Sequence, residues 1–81
     1  MQTLYERPDV REAIQALHAE ELQAFAGLLS RRESVVLYGR FVGHSQRRWE
    51  SLGRAMGVSR ERVRQLEAEI IKKFDAWQRQ H

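Results

Sequence analysis

The residues with most to offer chemically stand in one run, GVSRERVRQLE, residues 57 to 67. It holds three arginines (Arg60, Arg62, Arg64), two glutamates (Glu61, Glu67) and one glutamine (Gln65). Together these side chains form a hydrogen-bonding set suited to a nucleic acid. An arginine fork matches guanine O6 and N7 or a phosphate, a carboxylate accepts from the cytosine amino group, and a carboxamide pairs with adenine. Of the apolar residues in the run, only Val63 and Leu66 are spaced to point inward.

Other chemistries find no residues to support them. The chain has no cysteine, so it has neither a disulfide framework nor a thiolate metal site. His18, His44 and His81 are far apart and lack ligand spacing, and no metal or cofactor is expected. No Ser-His-Asp or Cys-His arrangement, paired-carboxylate pocket or phosphate-cradling glycine loop is present, so no residue is assigned a catalytic role and an enzyme is not expected. No apolar run approaches the roughly 20 residues needed to span a bilayer, and the opening MQTLYERPDV has no apolar signal core. The expectation is a cytoplasmic protein with no membrane partner.

With 81 residues and 42% apolar content, the chain suits one small domain with a modest core. Its net charge of +3 is unevenly spread. Residues 1–39 carry four arginines against six acids, a net of −2. Residues 40–65 carry seven arginines against Glu50 and Glu61, a net of +5, and residues 66–81 balance. An acidic half beside an arginine-only basic segment suggests two faces with different jobs.

The elements that must position the charged run are all helical by pattern. Pro8 suits a first helical position, and Val10, Ile14, Leu17, Leu22, Phe25, Leu28 and Leu29 recur at helical spacing. The phase slips near residues 18–21, so residues 8–28 form one kinked helix or a helix pair. Ser30 and Glu33 have the spacing of a capping box for a helix over 30–42, with Gly39 and Gly43 marking its fraying end. GHSQRR, residues 43–48, reads as a polar loop. Over 49–77, Trp49, Leu52, Gly53 and Met56 suit a short helix, Gly57 a left-handed stop, and Ser59 the N-cap of a longer helix carrying Val63, Leu66, Ile70, Phe74 and Trp77.

The expected fold is therefore all-α, a small bundle of four to five helices ending in a helix-turn-helix. On a helical wheel, Val63, Leu66, Ile70 and Phe74 define the buried side and Glu61, Gln65 and Ala68 lie roughly opposite. Arg60 and Arg64 flank that outward line on one side and Arg62 on the other. The N-terminal turns of such a helix can enter a major groove. The same charges can instead pair among themselves, as Arg64 with Glu61, on a merely solvated face. Arg47 and Arg48 precede the short helix, where they would meet a phosphate backbone or only water. Arg40 and Arg54 divide evenly between those roles. Trp49 is either a core anchor or a residue near the sugar-phosphate surface.

The same residues resemble a known family. Leu29-Ser30-Arg31-Arg32-Glu33, then Val36-Leu37 and Arg40-Phe41, are similar to the "L-T-x-R-E … V-L … R-F" signature of region four in bacterial sigma-70-type factors. Leu52-Gly53-Arg54 and the run from Gly57 to Ala68 resemble that region's second half, over roughly residues 10 to 75 in all. The resemblance implies base or backbone contact from Arg60, Glu61, Arg64 and Gln65 at the minus-thirty-five promoter element, with Arg62 on phosphate. Ser59 joins Arg47, Arg48 and Arg62 among the phosphate candidates. It also implies docking on the flap of the RNA polymerase β subunit, for which Leu28, Leu29, Val36, Leu37 and Phe41 are candidates for either cleft or core. An activator or anti-sigma protein is a further implied partner.

The sequence departs from the family in three places. The loop HSQRRW is short, Glu69 and Asp75 stand where the family tends to be basic, and the promoter-melting region is absent. The expectation is thus a fragment or a small stand-alone protein that binds promoter DNA and RNA polymerase without opening DNA. The alternatives are a sigma-like interaction protein that regulates polymerase or a sigma/anti-sigma partner without reading DNA, and a dimeric helix-turn-helix repressor.

Overall fold

The computed structural model describes residues 8–42 and 48–80. Among them are five helices: α1 (Pro8–Gln15), α2 (Ala19–Ala26), α3 (Arg31–Arg40), α4 (Trp49–Met56) and α5 (Arg60–Gln80). The phase slip at residues 18–21 coincides with the break between α1 and α2, where the His18 N–H donates to Glu21 Oε1 at 3.0 Å. The capping box at Ser30 forms as its spacing requires. Ser30 Oγ accepts from the Glu33 N–H at 3.2 Å, and Glu33 Oε1 accepts from the Ser30 N–H at 2.9 Å. Gly39 stands in the last turn of α3, one residue before its end at Arg40, and it also has a packing role. A Cβ there would meet Leu52 Cδ2 at 2.8 Å, so its lack of a side chain lets α3 and α4 approach. Gly43 lies outside the described residues.

The 21-residue α5, about 30 Å long, is the longest of these helices, and the core forms against it. The core joins Val10 and Ile14 of α1, Phe25 of α2, Val36 and Leu37 of α3, Phe41, and Leu52 of α4 to Val63, Leu66, Ile70, Ile71 and Phe74 of α5. Phe25 meets Phe74 edge-on, ring centroids 5.2 Å apart, with Trp77 at 5.5 Å from Phe25, which fixes α2 to the far end of α5. Ala68, expected on the outward line, is buried. Here α5 carries α1, α3 and α4 around more than one side, so its apolar stripe is wider than the Val63–Leu66–Ile70–Phe74 line and takes in Ala68 and Ile71.

Two carboxylates cross the interior. Glu67 of α5 has a side chain only 1% exposed. It accepts from Arg40 Nη2 at 3.4 Å, lies 3.9 Å from Arg11 Nη2, and accepts the Trp49 indole N–H on its other oxygen. Arg11 in turn donates from Nε to the Arg40 carbonyl at 3.3 Å and lies over the Phe41 ring. Burial, then the neighbouring Arg40 charge, lowers the Arg11 pKa from its ordinary value, and Glu67 opposes both. Arg40, balanced in sequence between phosphate contact and solvation, is thus an interior ion-pair partner. The second carboxylate, Glu33, is gripped by Lys73 at 2.8 and 3.0 Å, tying α3 to α5.

Glu67→Ala strands two poorly solvated guanidiniums and should cost about 3 kcal/mol, toward the low end for a broken buried pair because Arg11 keeps some water; urea unfolding at neutral pH measures it. For Glu33, burial raises the carboxyl pKa, but the Lys73 hydrogen bond and the Ser30 N–H outweigh it and leave the pKa below its ordinary 4.5. A depressed carboxyl stabilises the fold above its unfolded value and loses that contribution as the pH falls through the folded value. Lys73→Met should therefore destabilise by about 1 kcal/mol or less at pH 7, since Lys73 is partly solvated. That difference should shrink as unfolding is repeated below pH 4.5.

Candidate nucleic-acid interface

The charged run is held out by the junction of α4 and α5. Gly57 closes α4 in the left-handed region, φ 73° and ψ 30°. The Val58 N–H returns to the Gly53 carbonyl at 2.9 Å and the Gly57 N–H to the Arg54 carbonyl at 3.4 Å, the paired bonds of a Schellman end. Ser59 then caps α5, its Oγ accepting from the Arg62 N–H at 3.1 Å. Gly53 is needed for space. A Cβ there would stand 2.7 Å from the Val58 carbonyl oxygen and 3.3 Å from the Ser59 carbonyl carbon, backbone atoms of the turn itself. Leu52, Val63 and Leu66 are buried beneath, with Met56 and Val58 packed against them.

On this frame Arg60, Glu61, Arg62 and Gln65 are exposed at the start of α5, and Arg64 is half-buried. All make contacts within the protein. Arg64 Nη1 donates to Glu61 at 3.0 Å, Arg62 to Gln65 Oε1 at 3.4 Å, and Arg60 to Glu50 of α4 at 3.4 Å. Both readings of the sequence therefore meet in one place: the charges pair with one another and also stand outward. Pairs this exposed are worth about 1 kcal/mol or less, so a ligand with better acceptors can displace them. Arg48 is exposed at the start of α4, beside a recess of about 180 Å3 lined also by Trp49, Glu50 and Arg60. Arg54 is exposed as well. Arg47 lies outside the described residues.

The structure sorts the apolar cleft candidates. Val36, Leu37 and Phe41 are fully buried in the core, and Leu29 is partly buried. Leu28 is 63% exposed. Two residues not singled out from sequence also stand in water, Val35 at 41% and Tyr38 at 46%. With Arg31, Ser34, Gly39 and Leu52, Val35 and Tyr38 line a recess of about 500 Å3 between α3 and α4. A signal for them was available: Val35-Val36-Leu37-Tyr38 is four successive apolar residues, and a helix turns each by about 100°, so they cannot all face inward. Glu67 was missed as well. It lies four residues after Val63 and three before Ile70, which places it on the buried side.

Among the described residues, no group of His, Asp or Glu could hold a metal ion, and no helix is long and apolar enough to cross a membrane. A glycine turn, a capped second helix and an outward row of arginine, glutamate and glutamine define a helix-turn-helix DNA-binding module. The chain matches the family model for Sigma-70, region 4 over residues 27–74, more than half its length, and belongs to that family. This gives it a sigma-factor-like DNA-binding role in transcription, a non-enzymatic one, in a family that works with DNA and RNA polymerase. No solved structure matches the chain.

The turn geometry makes a prediction of its own. Gly53→Ala drives a methyl group into the backbone of the turn and should destabilise by about 1–3 kcal/mol, as overpacking does. Gly57→Ala meets no crowding and should cost only the left-handed backbone penalty of about 1–2 kcal/mol. Thermal unfolding of the two variants separates clash from strain, and a neutral Gly53→Ala would contradict the close approach.

Proposed function

We propose that this protein is a promoter-recognition module of a bacterial, cytoplasmic transcription apparatus. It reads minus-thirty-five DNA with α5 and docks on the RNA polymerase β-subunit flap with α3. The observation that carries the DNA half is the row Arg60, Glu61, Gln65, with Arg64 beside it, displayed on the first turns of a long helix whose remaining length is anchored in the core. Arg64 and Arg60 have the forks for guanine, Glu61 the acceptor for a cytosine amino group, and Gln65 the carboxamide for adenine. Arg62, Arg47 and Arg48 supply charge for phosphates. Ser59 keeps a hydroxyl proton to donate, since its cap bond uses a lone pair. Such contacts fix position while the base contacts specify.

The polymerase half rests on a different surface. Val36, Leu37 and Phe41 are spent in the core, so the docking residues in this reading are Leu28, Val35 and Tyr38, with Leu29 at the edge. An apolar face rimmed by Arg31 suits the apolar side of a helix. That face also supports the second reading, a polymerase-binding regulator that does not read DNA, because it needs nothing from α5. An activator or anti-sigma protein would compete for one surface or the other.

The deciding experiment titrates the protein with duplexes carrying or lacking the minus-thirty-five element, at two salt concentrations, with and without the isolated flap. Preference for the element together with a salt slope is expected. Arg64→Ala should lose about 1–3 kcal/mol of that preference, whereas Arg62→Ala should weaken all duplexes alike and lower the slope by about 1. Val35→Asp should weaken flap binding by about tenfold or more and leave DNA binding unchanged. Flap binding with indifference to DNA sequence would select the regulator reading instead.

A further inference from the structure

We propose that Trp49 is the positioning residue of the reading face: its ring holds Arg60 and Arg64 in the forward pose in which they meet DNA. The inference rests on the DNA-reading role proposed above. Three guanidinium carbons stand over this one ring, Arg64 and Arg40 at 5.1 Å from a ring centroid and Arg60 at 5.9 Å. All lie within the roughly 6 Å at which a cation is drawn to an indole face. The ring itself is fixed, because its N–H is bonded to the buried Glu67 carboxylate and the side chain packs against the core. Arg40 is committed to Glu67, leaving Arg60 and Arg64 as the two cations the ring presents to the outside.

Attraction to a ring face is to the charge of a guanidinium and needs none of its N–H groups, which radiate in the guanidinium's own plane. The ring contact therefore restricts the rotamers of Arg60 and Arg64 and itself uses no hydrogen-bond donor, although Arg64 Nε is buried. Arginine is among the side chains with most freedom to lose on binding, so restriction in the free protein removes part of that cost beforehand. A chain of contacts then runs from the interior to the surface: Glu67 fixes Trp49, and Trp49 fixes the two arginines. Glu61 and Glu50, paired with Arg64 and Arg60, hold the same guanidiniums.

The test compares Trp49→Leu, which removes the ring face, with Trp49→Phe, which keeps a face but loses the N–H to Glu67. Without DNA, NMR of the native protein should show the Arg60 and Arg64 side-chain methylene protons shifted upfield by the ring, and Trp49→Leu should abolish the shift. With duplexes, Trp49→Leu should bind the minus-thirty-five element roughly three- to thirtyfold more weakly. Its affinity for a scrambled duplex and its salt slope should stay unchanged, and Trp49→Phe should keep most of the preference. Absence of the upfield shift in the native protein, equal loss on both duplexes, or tighter binding by Trp49→Leu would each overturn the proposal. The native shifts need no variant, so they decide the matter even if Trp49→Leu fails to fold. A native protein indifferent to DNA sequence would instead remove the promoter-reading function, with the ring shifts still judging whether Trp49 holds the arginines.

Discussion

A carboxylate with no access to water sets the arrangement of this protein. Glu67 stands midway along α5, and its two oxygens receive an indole N–H from α4 and a guanidinium from α3, with a second guanidinium from α1 close by. An isolated carboxylate in such a place would cost several kcal/mol, and only a set of partners in good geometry offsets that. Those partners come from three different helices. Apolar packing alone would allow α1, α3 and α4 to slide on α5 at modest cost, because dispersion and burial are not directional. The ion cluster removes that freedom, since every alternative docking leaves a charge unpaired.

The contrast with the outer face is one of dielectric. Arg60, Arg62 and Arg64 make pairs at 3.0–3.4 Å, much the same distance as Arg40 to Glu67, yet in a different medium. In water such pairs are weak and exchange readily. In the interior they are strong because nothing competes. The protein therefore carries two populations of arginine that look alike in sequence, one structural and one available. Of the seven arginines that make residues 40–65 basic, Arg40 belongs to the interior, and the local excess of charge offered to a partner is smaller than the sequence count suggests.

This is also where sequence legibility ends. The capping box at Ser30, the left-handed stop at Gly57, the cap at Ser59 and the Val63–Leu66–Ile70–Phe74 stripe were readable because each is a local matter of spacing and backbone geometry. The burial of Ala68 and Glu67, the interior placement of Arg40 and the exposure of Val35 and Tyr38 were not read. Each depends on which neighbour covers which side of a helix. A helical wheel assigns an inside to one helix facing one core, but α5 is enclosed on more than one side, and α3 has apolar residues all round and must leave some outside. Gly39 shows the same limit: its missing side chain answers to Leu52, thirteen residues on, and not to the helix it sits in.

The two ends of α5 divide its work. Toward the C-terminus, Phe74 and Trp77 lock onto Phe25, and Lys73 reaches Glu33, so the helix is gripped by α2 and α3. Toward the N-terminus, Val63 and Leu66 are packed in the core and Glu67 is bonded from α3 and α4, while Arg60, Glu61 and Arg62 stand in solvent. A helix gripped along most of its length, with its first three residues exposed, can offer side chains to a groove with little motion of the backbone beneath them. The tight Gly53 turn sets where that exposed end begins, because any larger residue there would push the Val58–Ser59 backbone away from α4 and swing the arginines with it. Placement of the charged row is therefore inherited from packing beneath it.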